Sequence, residues 1–338
     1  MQAGRIVTLT LNPALDLASE AERVEPIHKI RTFGDHIDPG GGGINVARVV
    51  HALGGDALAV IATGGVTGRY VEDLLSETGV PWHALPIAGR TRVSLTVLDR
   101  ASGLEYRFVP KGPTLSRQEW DSTLALMETI DGEWVVASGS LPPGAPPDAY
   151  GLLARLAARR GQRFVLDSSG PALRAALGRG IEIVKPSLGE LESLVGRRLA
   201  NAAEQEAEAL NLVRSGMARM VVLTLGQQGA IMASADGVIW MPALPEAVQS
   251  AVGAGDAFLG SMILALARGA SQEEALAWGI AGGAAAIARV GTARVERDEV
   301  ERRFDRLASL RSGFGARLEP LTRATARFPS VADRPGPE

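Results

Sequence analysis

Val252-Gly253-Ala254-Gly255-Asp256-Ala257-Phe258 places a carboxylate directly behind two glycines. The run that follows, Phe258 to Ala267, is apolar and reads as a buried helix. A helix start offers unpaired N–H groups and the positive end of a dipole, which together bind anions. Gly253 and Gly255 let the backbone approach such an anion closely. A carboxylate beside phosphate charge is repulsive unless it accepts a proton from a hydroxyl, the task this pattern suggests for Asp256. The chemistry is then phosphoryl transfer from a nucleotide to an alcohol. The plain alternative is a helix-opening turn that tolerates an aspartate.

A second signal is Pro39-Gly40-Gly41-Gly42-Gly43-Ile44-Asn45-Val46-Ala47-Arg48. Four glycines ahead of a helix cost backbone entropy, so close helix–sheet packing alone explains them poorly. A dinucleotide fingerprint fits badly, because Val46 stands where its third glycine belongs and no strand is evident ahead of it. A polyol-binding turn suits better, with bare amides and Asn45 meeting hydroxyls. Asp16 follows the first expected strand, where open α/β sheets place ligands, although a lone turn aspartate reads the same way. Ser138 to Gly144 is a rigid glycine- and proline-rich loop after another strand, with a surface connection as the simpler reading. In Lys185-Pro186-Ser187-Leu188-Gly189-Glu190, Glu190 suits Mg²⁺ held through water, or simply a helix first turn. Thr224 to Gly229 is a glycine-punctuated turn, and Arg92, Arg107, Lys29 and Arg31 offer cations to a phosphate.

The elements that must position these groups alternate. Strands are expected at Arg5–Leu11, Ala57–Thr63, Trp134–Ala137, Arg163–Leu166, Ile181–Val184 and Met220–Thr224, with a hairpin at Ala230–Ala233 and Val238–Met241. Helices are expected at Ile44–Leu53, Tyr70–Glu77, Asp148–Arg159, Leu188–Val195, Phe258–Arg268, Glu273–Ile280 and Gly283–Arg289. Such alternation predicts a mostly parallel sheet with helices on both faces. Two segments break it. Val24–Ile37 is polar and irregular, and Arg92–Val109 alternates around Ala101-Ser102-Gly103 like a hairpin with one buried face. Together they make a small sheet over an active site. From about Ser312 the chain reads as an appended tail.

Composition bounds the alternatives. The 338 residues are 46% hydrophobic with a net charge of −3, an ordinary globular balance with no basic excess for nucleic acid. No apolar run suits a membrane span or a secretion signal. Cysteine is absent, which removes thiol nucleophiles, thiolate zinc sites and disulfides and accords with the cytoplasm. The three lysines, Lys29, Lys111 and Lys185, lack a following Ser or Thr, so no Gly-x-x-x-x-Gly-Lys-Ser/Thr phosphate loop exists. His28, His36, His51 and His83 lack metal-ligand spacing.

Over roughly residues 5–305 the chain resembles the PfkB carbohydrate kinases of the ribokinase-like fold, a three-layer α/β sandwich with a small β lid. The resemblance rests on Gly40–Arg48 and Val252–Asp256, supported by Thr8–Asp16, Ser138–Gly144, Asp167–Gly170 and Lys185-Pro186. The undivided four-glycine run and Tyr106-Arg107-Phe108-Val109 are most similar to the 6-phosphofructokinase version within the hexose-phosphate branch. The resemblance implies a kinase domain over 1–311, with lid segments near 14–38 and 88–112, that phosphorylates fructose 6-phosphate with ATP and Mg²⁺. Fructose 1-phosphate and tagatose 6-phosphate are the alternative substrates, and a silent sugar-phosphate sensor or a dehydrogenase the alternative classes.

It further implies that Asp256 is the base, with Gly253, Ala254 and Gly255 forming an anion hole. Asp16, Gly41, Gly42, Gly43 and Asn45 would hold sugar hydroxyls, and Arg92, Ser140 and Lys29 the sugar phosphate, Lys29 from a partner subunit. Lys185, Ser187, Thr224, Gly226 and Gly229 would line the ATP site, with Glu190 near Mg²⁺. Backbone carbonyls around Ser250, Val252, Ala286, Arg289 and Gly291 would form a monovalent-cation loop, K⁺ being the candidate ion. A homodimer joined through lid strands follows from the same likeness. Two departures stand out, Ser187 where the family pattern has Asn, and Ala251 where it has Thr.

Overall fold

The computed structural model describes residues 4–247, 249–250, 252–289 and 291–311. The expected tail, 312–338, and Ala251 lie outside the described residues.

The main sheet has nine strands in the spatial order Gly237–Met241, Ala230–Ser234, Met220–Thr224, Ile183–Val184, Arg163–Asp167, Trp134–Ser138, Ile6–Thr10, Ala57–Thr63 and Trp82–Pro86. Seven run parallel, and the first two form the antiparallel edge hairpin. Successive side chains enter opposite cores. On the strand Trp134–Ser138, Val136 packs with the layer built on the Gly42–Ala52, Ala254–Ala267 and Gln272–Ile287 helices. Val135 packs with the layer of Ala149–Arg159 and its neighbours. Helices on both faces keep these strands apolar throughout, which is why they read as short buried runs.

A separate four-stranded sheet, ordered Thr32–Gly40, Ala14–Ala21, Arg92–Asp99, Leu104–Phe108, forms the lid. Its two central strands are parallel and the outer ones antiparallel. The hairpin at 92–109 stands as expected, but the first lid segment is more ordered than its polarity implied. Ala14–Ala21 and Thr32–Gly40 are strands because their outer residues face solvent rather than a second core, so no apolar alternation marks them. A strand therefore does lead into the glycine run, contrary to expectation; it belongs to the lid and not to a βαβ unit.

Other boundaries differ for local reasons. The two helices expected over 273–289 are one, Gln272–Ile287, since Gly282 is accommodated where its helix packs against Ser261. The helix containing Asp256 begins at Ala254, one turn earlier than its apolar run suggests. The strand expected from Ile181 shrinks to Ile183–Val184. Helices at Arg117–Met127, Gly170–Ala176, Ala202–Arg214 and Arg297–Arg311 and the edge strand Trp82–Pro86 had no clear sequence signal.

Candidate active site

Strand order reverses between Ile6–Thr10 and Trp134–Ser138, and the crevice at their carboxyl ends is where such sheets bind ligands. Gly42, Ser138, Gly139, Ser140, Asp167, Ser168, Ser169, Glu190 and Asp256 line an open cleft there. Gly42 belongs at this spot because a Cβ would lie 2.1 Å from Ser138 Oγ and 3.1 Å from Asp256 Oδ1. Two of the sequence signals, 212 positions apart at their glycines 41 and 253, thus meet in one cleft.

Asp256 is the third residue of the helix Ala254–Ala267, whose first turn opens at Gly253 in the left-handed region (φ 78°). That conformation favours glycine and turns the chain so that the first amides of the helix are free of intrahelical partners. Asn45 Nδ2 donates to Asp256 Oδ2 at 2.8 Å. Burial pushes the Asp256 carboxyl up to about 7, with the charge of Asp167 adding to the rise and the Asn45 hydrogen bond and Lys185 opposing it. A base with that affinity is matched to accepting a hydroxyl proton near neutral pH.

Lys185 is buried and bonds Asp167 Oδ1 at 3.1 Å. Burial works against its charge, but Asp167, Asp256 and Glu190 together hold the ammonium above its ordinary value. The cation is thus kept beside the base. Asp167 was not singled out by sequence; the signal available was a carboxylate at a strand's carboxyl end followed by Ser168-Ser169-Gly170.

Ser187 and Glu190 form a capping box on the helix Leu188–Val195. Ser187 N–H donates to Glu190 Oε2 at 2.7 Å, and Glu190 N–H donates to Ser187 Oγ at 3.3 Å. The serine in place of asparagine is therefore a working N-cap, and it orients Glu190, whose Oε1 takes no hydrogen bond from the protein. Thr224 bridges to Ser187 in parallel pairing, and Gly226 opens the short turn that ends at Gly229.

The sugar side is built from the lid. Asp16 is half-buried, and burial pushes its carboxyl up to about 6 against the pull of Arg92 and Arg107, with Asp38 adding to the rise. Arg92 does not face open solvent: Nη1 donates to Pro110 O and Nη2 to Asn12 O, both at 2.8 Å, leaving Nε buried and unpartnered. Asn12 Nδ2 in turn donates to Lys111 O at 3.0 Å and Ser140 Oγ at 3.1 Å. Asn12, which carried no expected role, joins both hinges of the lid to the Ser140 loop. Asn45 Oδ1, Asn12 Oδ1 and Thr10 Oγ1 are also buried without partners, so acceptors remain for hydroxyls. Lys29 is exposed in the loop between two lid strands and does not line the cleft. All four histidines are exposed.

The expected cation loop is brought together. Gln249 N–H and Ser250 N–H donate to Ile287 O, Val252 O accepts from Ala293 N–H, and Ala286 O accepts from Arg289 N–H. The Arg289 side chain is directed elsewhere, pairing with Glu296 at 2.8 Å and Glu299 at 2.9 Å.

Fold, cleft and raised carboxylate define a class: a small-molecule kinase that deprotonates an alcohol beside a helix N-terminus. The chain matches the pfkB family carbohydrate kinase profile over residues 10–298. It is 41% identical over 303 residues to the ATP-dependent 6-phosphofructokinase isozyme 2 of Mycobacterium tuberculosis, covering 89% of each chain. It is 32% identical over 294 residues to the 1-phosphofructokinase of Haemophilus influenzae, covering 84% of this chain and 91% of that one. Phosphofructokinase-2 from Escherichia coli in complex with potassium superposes with a TM-score of 0.86 at 40% identity, covering 90% of this chain and 99% of that chain. The Escherichia coli protein has also been solved with fructose-6-phosphate and in a tetrameric inhibited form. The chain belongs to the PfkB family of carbohydrate kinases, as a sugar-phosphate kinase.

Proposed function

We propose that the protein transfers the γ-phosphoryl group of ATP to the free primary hydroxyl of fructose 6-phosphate, giving fructose 1,6-bisphosphate and ADP. The observation that carries the reading is Asp256, poised near neutral pH and held by Asn45 between the glycine turn of the sugar side and the helix start of the phosphate side. Asp256 takes the hydroxyl proton as the oxygen attacks the phosphorus. The amides of Gly253, Ala254 and Gly255 face the charge that builds on the transferring group, and Lys185 adds a fixed cation. Gly41, Gly42, Gly43, Asn45 and Asp16 hold the sugar hydroxyls, and Arg92, Ser140 and Lys29 the sugar phosphate. Thr224, Gly226, Gly229 and Ser187 line the ATP side.

Mg²⁺ neutralises phosphate charge in such reactions. Among the described residues no three His, Cys, Asp or Glu side chains form a cage. An ion that keeps most of its waters needs only one or two carboxylates, and the free Oε1 of Glu190 fits that need. Carbonyls of Ser250, Val252, Ala286, Arg289 and Gly291 suit K⁺, in line with the potassium complex of the Escherichia coli relative. No helix among the described residues is long and apolar enough to cross a membrane, and we place the enzyme in the cytoplasm.

Assembly as a homodimer through the lids follows from the lid's outer surface. Ile27, Ile37, Val93, Leu104, Phe108 and Val109 are large apolar residues left exposed on the lid, and Thr32–Gly40 and Leu104–Phe108 are open sheet edges. A two-fold pairing covers both and carries Lys29 toward the other cleft.

Coupled detection of ADP across fructose 6-phosphate, fructose 1-phosphate, tagatose 6-phosphate and fructose tests the reading. The highest kcat/KM is expected for fructose 6-phosphate. A higher value for fructose 1-phosphate would reassign the substrate, and tight sugar-phosphate binding without ADP release would make the protein a sensor.

A further inference from the structure

A buried ion cluster joins the lid to the back of the anion hole. Asp38 lies on the lid strand Thr32–Gly40, just ahead of the glycine run and directly across from Asp16 in the antiparallel register. It is 6% exposed. Arg294 Nη2 donates to Asp38 Oδ1 at 2.9 Å, and Arg48 Nη2 approaches the same oxygen at 3.8 Å. Arg48 stands on the Gly42–Ala52 helix and donates through Nη1 to Thr292 O at 3.3 Å. The two arginines therefore grip both sides of Ala293. That residue is buried and left-handed (φ 50°), a conformation a non-glycine residue keeps only when its surroundings hold it.

Ala293 is what the anion hole rests on. Its N–H donates to Val252 O at 3.4 Å. Gly253 lies so close that a Cβ there would be 2.6 Å from Ala293 N. A continuous chain of contacts runs from the lid strand through Asp38, Arg294 and Arg48 to the 292–294 turn and on to Val252 and Gly253. None of these three side chains lines the cleft, so none touches the reacting atoms.

We propose that Asp38, Arg48 and Arg294 form a latch that holds the lid strand and the Gly253 turn in one fixed relation, with Asp38 as a positioning residue for phosphoryl transfer. The proposal rests on the anion-hole role given to Gly253–Gly255. A carboxylate between two guanidiniums suits the task, because removing either side leaves a buried charge without its partner and releases the turn. The released amides would still bind ATP but would miss the geometry that stabilises the charge of transfer.

The test uses the full-length protein with Asp38→Asn, Arg294→Ala, Arg294→Lys and the Asp38→Asn/Arg294→Ala double variant. Each single loss is expected to lower kcat about tenfold while both Michaelis constants stay within about threefold. The double variant should be no slower than the slower single, and Arg294→Lys should recover most of the turnover. Amide hydrogen exchange across residues 252–256 and 291–295 should quicken in Asp38→Asn and Arg294→Ala. Full turnover with only a lowered melting temperature would make the cluster a structural ion pair and overturn the proposal, as would additive losses or unchanged exchange. Should the unaltered enzyme release no ADP with any sugar phosphate, the kinase reading fails, and hydrogen exchange still decides whether the latch holds the turn.

Discussion

The phosphate end and the lid end of the cleft are built in opposite ways. The phosphate end is made by core elements: the Ala254–Ala267 helix is buried along most of its length, Lys185 is 5% exposed, and Asn45 is 4% exposed. Its charged groups are held by one another. The lid end carries Asp16 and Arg92 on a four-stranded sheet whose outer face leaves Phe108 57% and Leu104 60% exposed. Its arginine binds loop carbonyls as well as facing Asp16. The phosphate end is thus complete within one chain, whereas the lid end is finished by whatever covers its apolar face. Chemistry and substrate affinity should therefore separate under mutation.

Four experiments press on that division. Asp256→Asn keeps size but removes proton acceptance, and turnover should fall by about 10²–10⁴-fold with ATP binding little changed. Near-normal turnover would remove Asp256 as the base. Next, Phe108→Asp on the lid face should convert dimers to monomers by light scattering and raise the Michaelis constant for fructose 6-phosphate by about tenfold or more, with far less effect on that for ATP. A fully active monomer would separate the lid's apolar face from substrate binding.

Arg92→Ala should likewise raise the Michaelis constant for the sugar phosphate, by about tenfold. Its loss for unphosphorylated fructose should be smaller, since that sugar never used the contact. Equal losses for both would point to the carbonyl clamp on Asn12 and Pro110 as the residue's whole role.

The last concerns pH. Asp256 must be ionised to act, so kcat/KM should fall as pH drops through about 7. Asp167→Asn should move that limb to lower pH, because Asp167 raises Asp256 and also pairs the Lys185 that lowers it. The same shift has a stability sign. Between the ordinary value of 3.8 and about 7 the folded state keeps a proton that the unfolded chain has lost, so Asp256 costs stability as pH rises through that window. Asp256→Asn should accordingly stabilise the protein at pH 8, on the order of 1 kcal/mol, and change little at pH 4. Equal effects at both pH values would deny the raised ionisation.

Sequence legibility followed the same division. In the core, strands such as Ala57–Thr63 and Met220–Thr224 and the helix Leu188–Val195 stand at the expected residues, because burial on both faces leaves unbroken apolar runs. In the lid, Ala14–Ala21 and Thr32–Gly40 hid among polar residues, because a strand covered on one side only, and bulged between Ala18 and Glu20, loses its alternation. Amphipathic surface helices such as Ala202–Arg214 hid for a similar reason, with few buried residues to mark a stripe.

The sequence alone determined that a carboxylate follows a glycine turn at a helix start, that a second glycine run precedes Asn45, and that no lysine-based phosphate loop exists. Those are local facts of residue type and spacing. Only the tertiary structure decided that Asn45 is the hydrogen-bond donor to Asp256, that Asp167 and Lys185 set its charge environment, and that Asp38 ties the lid to the 292–294 turn. These contacts join residues far apart in the chain, and proton affinity depends on burial and on neighbouring charge, which exist only once the sheet has brought its strand ends together.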